Sequence, residues 1–259
     1  MFNFGREKEI KEVKKNALIS VWGTPSSGKT TVAINLAKII SEKKINVCLV
    51  MCDSLAPMLP CVIPPSEITE EKSLGDLLSK VNINQTTVKN NLTLLKHNPY
   101  LSVIGYLKGE NDYSYSPYTR IQAEELIDSI KEVATVVIFD CTSSLSNVMS
   151  TTAIVNSDYV LNLANCDLKS ISFLSSQMSF LLEKGLDEDD MYMCLSNVKS
   201  FQSVELMKMS LGKIAFTLPH SQEVEEQFQN GNLLENLTFK NSKIFRKEIK
   251  KIINELIEI

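Results

Sequence analysis

The segment Gly23-Thr24-Pro25-Ser26-Ser27-Gly28-Lys29-Thr30 constrains the fold of this chain more than any other feature. It fits the pattern G-x-x-x-x-G-K-[ST]. An apolar run, Ala17 to Trp22, precedes it. A helical pattern over Thr30 to Ser41 follows, with Val32, Ala33, Leu36, Ala37 and Ile40 on one face. A strand, a glycine-rich turn and a helix in that order form a phosphate-binding loop. The glycines let backbone N–H groups turn inward, and the helix N-terminus adds positive potential. In such a loop Gly23, Ser26, Ser27, Gly28 and Thr31 surround phosphate oxygens. Lys29 bridges the outer phosphates, and Thr30 places its hydroxyl on Mg²⁺.

The rest of the chain alternates strands with helices. Strand patterns occur at Val47 to Cys52, Leu92 to Leu95, Leu101 to Leu107, Thr135 to Phe139, Tyr159 to Ala164, Tyr192 to Leu195 and Lys213 to Thr217. Helical patterns cover Ile121 to Val133, Leu168 to Glu183, Ser221 to Gln229 and Ser242 to Glu258. Several strands are nearly continuous apolar runs, as when helices cover both faces of a parallel sheet. The expected fold is α/β: a doubly wound, mostly parallel sheet of about seven strands with helices on both faces. We expect an N-terminal extension over residues 1–16 and one nucleotide-binding domain over 17–259. Ser54 to Ser73, with prolines at 57, 60, 64 and 65, is the most irregular stretch.

A phosphate loop needs an acidic partner at the end of a later strand. Asp140 ends Val136-Val137-Ile138-Phe139 and is the candidate to hold Mg²⁺ through water. Asp53 ends the strand that follows the loop helix. It is a candidate to orient the attacking water, and a turn-forming residue is the plainer alternative.

Composition narrows the class. Net charge is −4 and apolar residues make up 44%, so the chain is an ordinary globular one and not a strongly basic nucleic-acid binder. Six cysteines form no C-x-x-C pair and there are two histidines, which argues against zinc. Cys48, Cys52, Cys141 and Cys194 sit in or beside apolar runs and read as reduced core residues, which implies the cytoplasm. The charged N-terminus does not read as a signal peptide, and no apolar run is long enough to span a bilayer. Three arginines, Arg6, Arg120 and Arg246, stand against 24 lysines. That is few for a small-molecule kinase lid.

These residues together resemble the MinD/ParA branch of P-loop ATPases. Two later segments narrow the likeness. Leu195-Ser196-Asn197 ends a strand where the family carries an adenine-contacting Asn. Thr217-Leu218-Pro219-His220-Ser221-Gln222-Glu223-Val224, followed by Asn230-Gly231-Asn232, is similar to the family segment beside the base. The resemblance implies ATP or ADP with Mg²⁺, a homodimer, Asn197 and Pro219 beside adenine, and a cargo such as a plasmid, a pilus or a secretion assembly. The TadZ/CpaE-like sub-branch is a close comparison. Three departures stand out. The family's signature lysine is Thr24 here, the first acid of its D-x-D-P pattern is Met51, and the switch segment after Asp140 lacks Pro and Gly. They point to weak hydrolysis, or to a scaffold that holds nucleotide permanently.

Thr238 to Ile259 carries six basic and three acidic side chains with apolar residues at helical spacing. Such a helix packs on the sheet with a solvated lysine face, or touches DNA or a membrane surface. The last two would make the protein peripheral to the nucleoid or the membrane. Asn111 to Thr119, with three tyrosines, reads as an exposed irregular loop, or as a lid or partner loop. Phe2, Phe4, Ile10 and Val13 suggest a surface helix or a docking segment.

Overall fold

A computed structural model describes residues 16–67 and 72–257. Phe2, Phe4, Ile10 and Val13 lie outside the described residues. The strands are β1 (Ala17–Gly23), β2 (Val47–Met51), β3 (Thr93–Leu95), β4 (Asn98–Gly105), β5 (Val136–Asp140), β6 (Tyr159–Asn165), β7 (Met191–Val198) and β8 (Phe216–Pro219). The helices are α1 (Lys29–Ser41), α2 (Leu59–Val62), α3 (Leu74–Leu78), α4 (Gln85–Asn91), α5 (Arg120–Lys131), α6 (Val148–Val155), α7 (Leu168–Glu183), α8 (Val204–Leu211), α9 (Gln222–Gln229) and α10 (Ser242–Ile257).

The strands form one sheet in the order β3-β4-β2-β5-β1-β6-β7-β8. Every pair is parallel except the edge pair β3 and β4. All residues of β1, β2 and β5 are buried, which explains their unbroken apolar sequences. Alternation along β1 separates two cores. Ala17, Ile19 and Val21 face a layer with α1 and α10, while Leu18 and Trp22 face a layer with α5, α6 and α7. β1 lies between β5 and β6: the chain crosses from β1 through α1 to β2 on one side, and from β5 through α6 to β6 on the other. The carboxyl ends there form the crevice where open α/β sheets bind ligands.

α10 buries Phe245, Ile249, Ile252, Ile253, Leu256 and Ile257 in the core beside α1 and β8, and exposes Lys243, Lys247, Lys250 and Lys251. Its apolar stripe is therefore taken up by packing apart from exposed Ile244, and the lysine face is open to solvent.

Several elements differ from the expectations. The last strand starts at Phe216 rather than Lys213, because Gly212 at φ 76° turns the chain out of α8 first. The sheet has eight strands. α6 reads as β-branched sequence (Val-Met-Ser-Thr-Thr-Ala-Ile-Val), yet Asn147 caps it through Ser150 N–H and its buried face packs on α5. Packing overrides its weak propensity. The irregular Ser54 to Ser73 stretch contains the single turn α2.

Candidate functional site

The carboxyl ends of β2, β5, β7 and β8 and the phosphate loop after β1 build the site. Gly23 ends β1 with φ 144°, and a Cβ there would lie 1.9 Å from Leu163 O of β6. No other residue type fits. Thr24 N–H donates to that same Leu163 oxygen at 2.9 Å. The chain then turns through Ser26 at φ 59° and Gly28 at φ 79°, and α1 begins at Lys29 with no side-chain cap. The first N–H groups of α1 thus keep their donor capacity, as an anion site requires. Buried Ser27 closes the turn from inside, its hydroxyl donating to Thr24 O at 2.8 Å.

Lys29 Nζ donates to Thr24 O at 3.1 Å and to Ser143 Oγ at 2.6 Å. Thr30 Oγ1 donates to Asp140 Oδ2 at 2.7 Å. Burial pushes the Lys29 ammonium below its ordinary pKa, against the pull of Asp140 and Asp53. Burial also raises Asp140, to about 7, against the Thr30 hydrogen bond and the Lys29 charge. Asp53 Oδ1 accepts from Leu55 N–H and Ala56 N–H, both at 2.9 Å. Asp53 is therefore a turn-forming residue, and its carboxylate also borders the cavity.

A cavity of about 510 Å³ opens over the loop. Ser26, Gly28, Lys29, Thr30 and Thr31 form its floor, with Asp53 and Asp140 at one side. Asn197 and Pro219 stand at the opposite end. There Asn197, at φ 54°, holds Oδ1 2.8 Å from His220 Nδ1 and ties the ends of β7 and β8 together. Val224 and Phe228 of α9 and Phe245 of α10 add apolar wall. Of the eleven residues singled out from sequence, nine line this one cavity. Gly23 and Ser27 sit beneath it and shape the loop. The arrangement offers a cation and helix N–H groups for phosphate, two oxygens for a hard divalent ion, and an apolar end for a base. Thr30 and Asp140 suit Mg²⁺, which takes one or two protein oxygens and completes its shell with phosphate oxygens and water. Among the described residues no cluster of His, Cys, Asp and Glu forms a separate all-protein metal cage.

A family model described as "AAA domain" matches residues 23–184, more than half of the chain. The chain belongs to this AAA-domain family. The family match begins at Gly23 and takes in the phosphate loop, Asp53 and Asp140. Solved structures agree on the fold. A ParA family ATPase from Chlorobium tepidum TLS superposes with a TM-score of 0.76 at 15% identity, covering 94% of this chain and 100% of that one. MinD from Pyrococcus horikoshii OT3, complexed with Mg-ADP, gives 0.71 at 16%, covering 92% and 95%. A putative plasmid partition protein from Borrelia burgdorferi B31, bound to AMPPNP, gives 0.70 at 18%, covering 93% and 100%. This AAA-domain chain thus has the fold of the ParA and MinD P-loop ATPases. A search of curated proteins returned no match.

Sequence reasoning missed three features. Thr24 is 1% exposed. Its hydroxyl turns under the loop and accepts from Asn165 N–H and Ser170 Oγ, both at 3.3 Å. Ser143 meets Lys29, and Phe228 and Phe245 close the apolar end. Each depends on contacts between distant segments and carries no local motif. Among the described residues no helix is long and apolar enough to cross a membrane.

Proposed function

We propose that the chain binds Mg-ATP, hydrolyses it weakly, and uses the nucleotide state to govern homodimerisation and so the placement of a larger cargo. The observation that carries this reading is the joining of Lys29, Thr30 and Asp140 at one end of a single cavity with Asn197 and Pro219 at the other. In this reading Lys29 and the α1 N-terminus hold the phosphates, with Gly23, Ser26, Ser27, Gly28 and Thr31 forming the cradle. Thr30 and Asp140 would hold Mg²⁺, which would supply neutralisation of the phosphate charge. Asp53 orients water near the terminal phosphate, and Asn197 and Pro219 flank adenine. Two structural relatives, MinD complexed with Mg-ADP and the partition protein bound to AMPPNP, support the choice of ligand. The cargo is a plasmid or a pilus or secretion assembly, the latter if the chain sits in the TadZ/CpaE-like sub-branch. The exposed lysines of α10 are the candidate DNA contact.

The second reading is a hydrolysis-deficient dimeric scaffold. Thr24 favours it, because that position is buried and hydrogen-bonded within its own subunit rather than offering a cation to a partner. Light scattering on apo, ADP-bound and ATP-bound protein, beside Lys29→Ala, separates the two. The switch reading expects ATP alone to convert monomer to dimer, with no response from the variant. A dimer in every state, with no metal-dependent turnover, would leave only the scaffold.

A further inference from the structure

A second cavity, of about 250 Å³, lies on the far side of the segment that follows Asp140. Its walls are the Ser54–Leu55 turn, the segment 142–148, and a loop carrying Tyr115 and Tyr118, with Tyr106 behind them. That loop is irregular yet anchored. Glu110 Oε1 accepts from Tyr115 OH at 2.5 Å, and Glu110 Oε2 accepts from Ser73 Oγ at 2.6 Å and Leu107 N–H at 2.7 Å. The Tyr115 ring lies over Gly75, where a Cβ would fall 2.3 Å from it. Tyr118 OH accepts from Met149 N–H at 3.1 Å. Tyr106 shares a side-chain hydrogen bond with Tyr118, so all three aromatic rings are tied in place.

The electrostatics select a cation. Among the described residues no lysine, arginine or histidine lines this cavity, and Asp112 is the one carboxylate on its wall. Asp112 accepts a hydrogen bond from the Ser54 hydroxyl. Burial raises the Tyr106 and Tyr118 phenols, the latter to about 12, with the Asp112 charge the smallest of the contributing causes. Both stay neutral and present intact π-systems. A phosphate or a carboxylate would meet the Asp112 carboxylate here, with the N-terminus of α6 at Asn147 and Val148 as the opposing dipole. An ammonium gains from the carboxylate and from ring quadrupoles together.

We propose that this cavity binds an alkylammonium group, with its charge at Asp112 and its aliphatic stem against Tyr115 and Tyr118. The group belongs either to a free diamine or to a lysine side chain of another protein. Its site shares walls with the nucleotide cavity. Ser143 meets Lys29, while its neighbours Thr142 and Ser144 line the second cavity. Ser54 follows Asp53 directly. An occupant therefore touches both loops that carry the acidic residues, which gives it a route to alter nucleotide affinity reciprocally.

Titration calorimetry on the full chain without nucleotide tests the site itself, independently of whether ATP is hydrolysed. The ligands are 1,4-diaminobutane, Nα-acetyl-lysine methylamide and, as a neutral control, 1,4-butanediol. We expect at least one amine to bind and the diol not to bind. Asp112→Asn and Tyr115→Leu should each weaken amine binding by about tenfold or more. Thermal melting and ADP affinity without amine verify that each variant is folded, and Asp112→Asn alone decides if Tyr115→Leu is not. Tighter binding of the diamine identifies a free polyamine-like ligand, and tighter binding of the lysine derivative identifies a protein side chain. Failure of both amines at millimolar concentration, or unchanged affinity in Asp112→Asn, overturns the proposal.

Discussion

Thr30 Oγ1 donates a hydrogen bond to Asp140 Oδ2 at 2.7 Å, joining the first turn of α1 to the end of β5. This bond stabilises the carboxylate, yet burial outweighs it and raises Asp140 to about 7. An unfolded Asp titrates near 4. Between those values the native state holds a proton that the unfolded state has released. Stability of the metal-free protein should therefore be fully present at the acid end of that window. It should fall as pH rises from about 4 to about 7, by up to about 4 kcal/mol from this residue. Urea unfolding in a chelator at pH 5 and pH 7 reads the slope. Asp140→Asn should flatten it, and an unchanged slope in that variant would refute the assignment.

Lys29→Ala removes the ammonium that lies beside the loop. A charge-assisted hydrogen bond is worth about 1.5–3 kcal/mol, so affinity for ADP should drop by roughly tenfold to a hundredfold. Because burial already disfavours the Lys29 charge, the fold should tolerate the change. Fluorescent-nucleotide titration beside a thermal melt distinguishes lost binding from lost folding.

Gly23→Ala should be severe. Its Cβ would occupy the Leu163 carbonyl, and neither backbone can yield without breaking β1–β6 pairing. We expect a loss above about 3 kcal/mol. Gly109→Ala is the control. It also has positive φ, at 88°, but meets nothing within 4 Å. It should lose only the backbone term of about 1–2 kcal/mol. Chemical denaturation of both variants checks the contrast.

The two faces of α10 should respond oppositely. Ile253→Ala opens a core cavity and should cost about 2–5 kcal/mol. Charge reversal at Lys247, Lys250 and Lys251 changes exposed positions, each within about 0.5 kcal/mol. If α10 touches DNA, that triple change also abolishes the salt dependence of DNA binding in a titration at several ionic strengths.

Thr24→Lys restores the residue type seen at this position in the resembling family, but not its setting. Thr24 is buried and accepts from Asn165 and Ser170. The variant must bury an ammonium or reshape the loop. It should lower the melting temperature without strengthening any ATP-dependent dimerisation of the unaltered chain, as melting curves and light scattering would report.

Much of the site was legible in sequence because local geometry demands particular residues. Gly23 and Gly28 need positive φ, Lys29 and Thr30 follow where α1 must start, and Asp140 ends an unbroken apolar run. The central strands were legible for a related reason: burial on both faces leaves no polar position to blur them. α6 was not legible, since its residues favour strand and only its cap and its packing on α5 make it helical.

The sequence by itself determined the doubly wound class, the loop and its acidic partners, because backbone sterics and the cost of burying polar groups act within a few residues. Tertiary structure alone decided three other matters. It turned Thr24 inward and Ser143 toward Lys29, it spent the apolar stripe of α10 on the core, and it set Tyr115, Tyr118 and Asp112 around a second cavity. Those outcomes depend on which distant surfaces meet when the sheet closes, and no single segment contains that information.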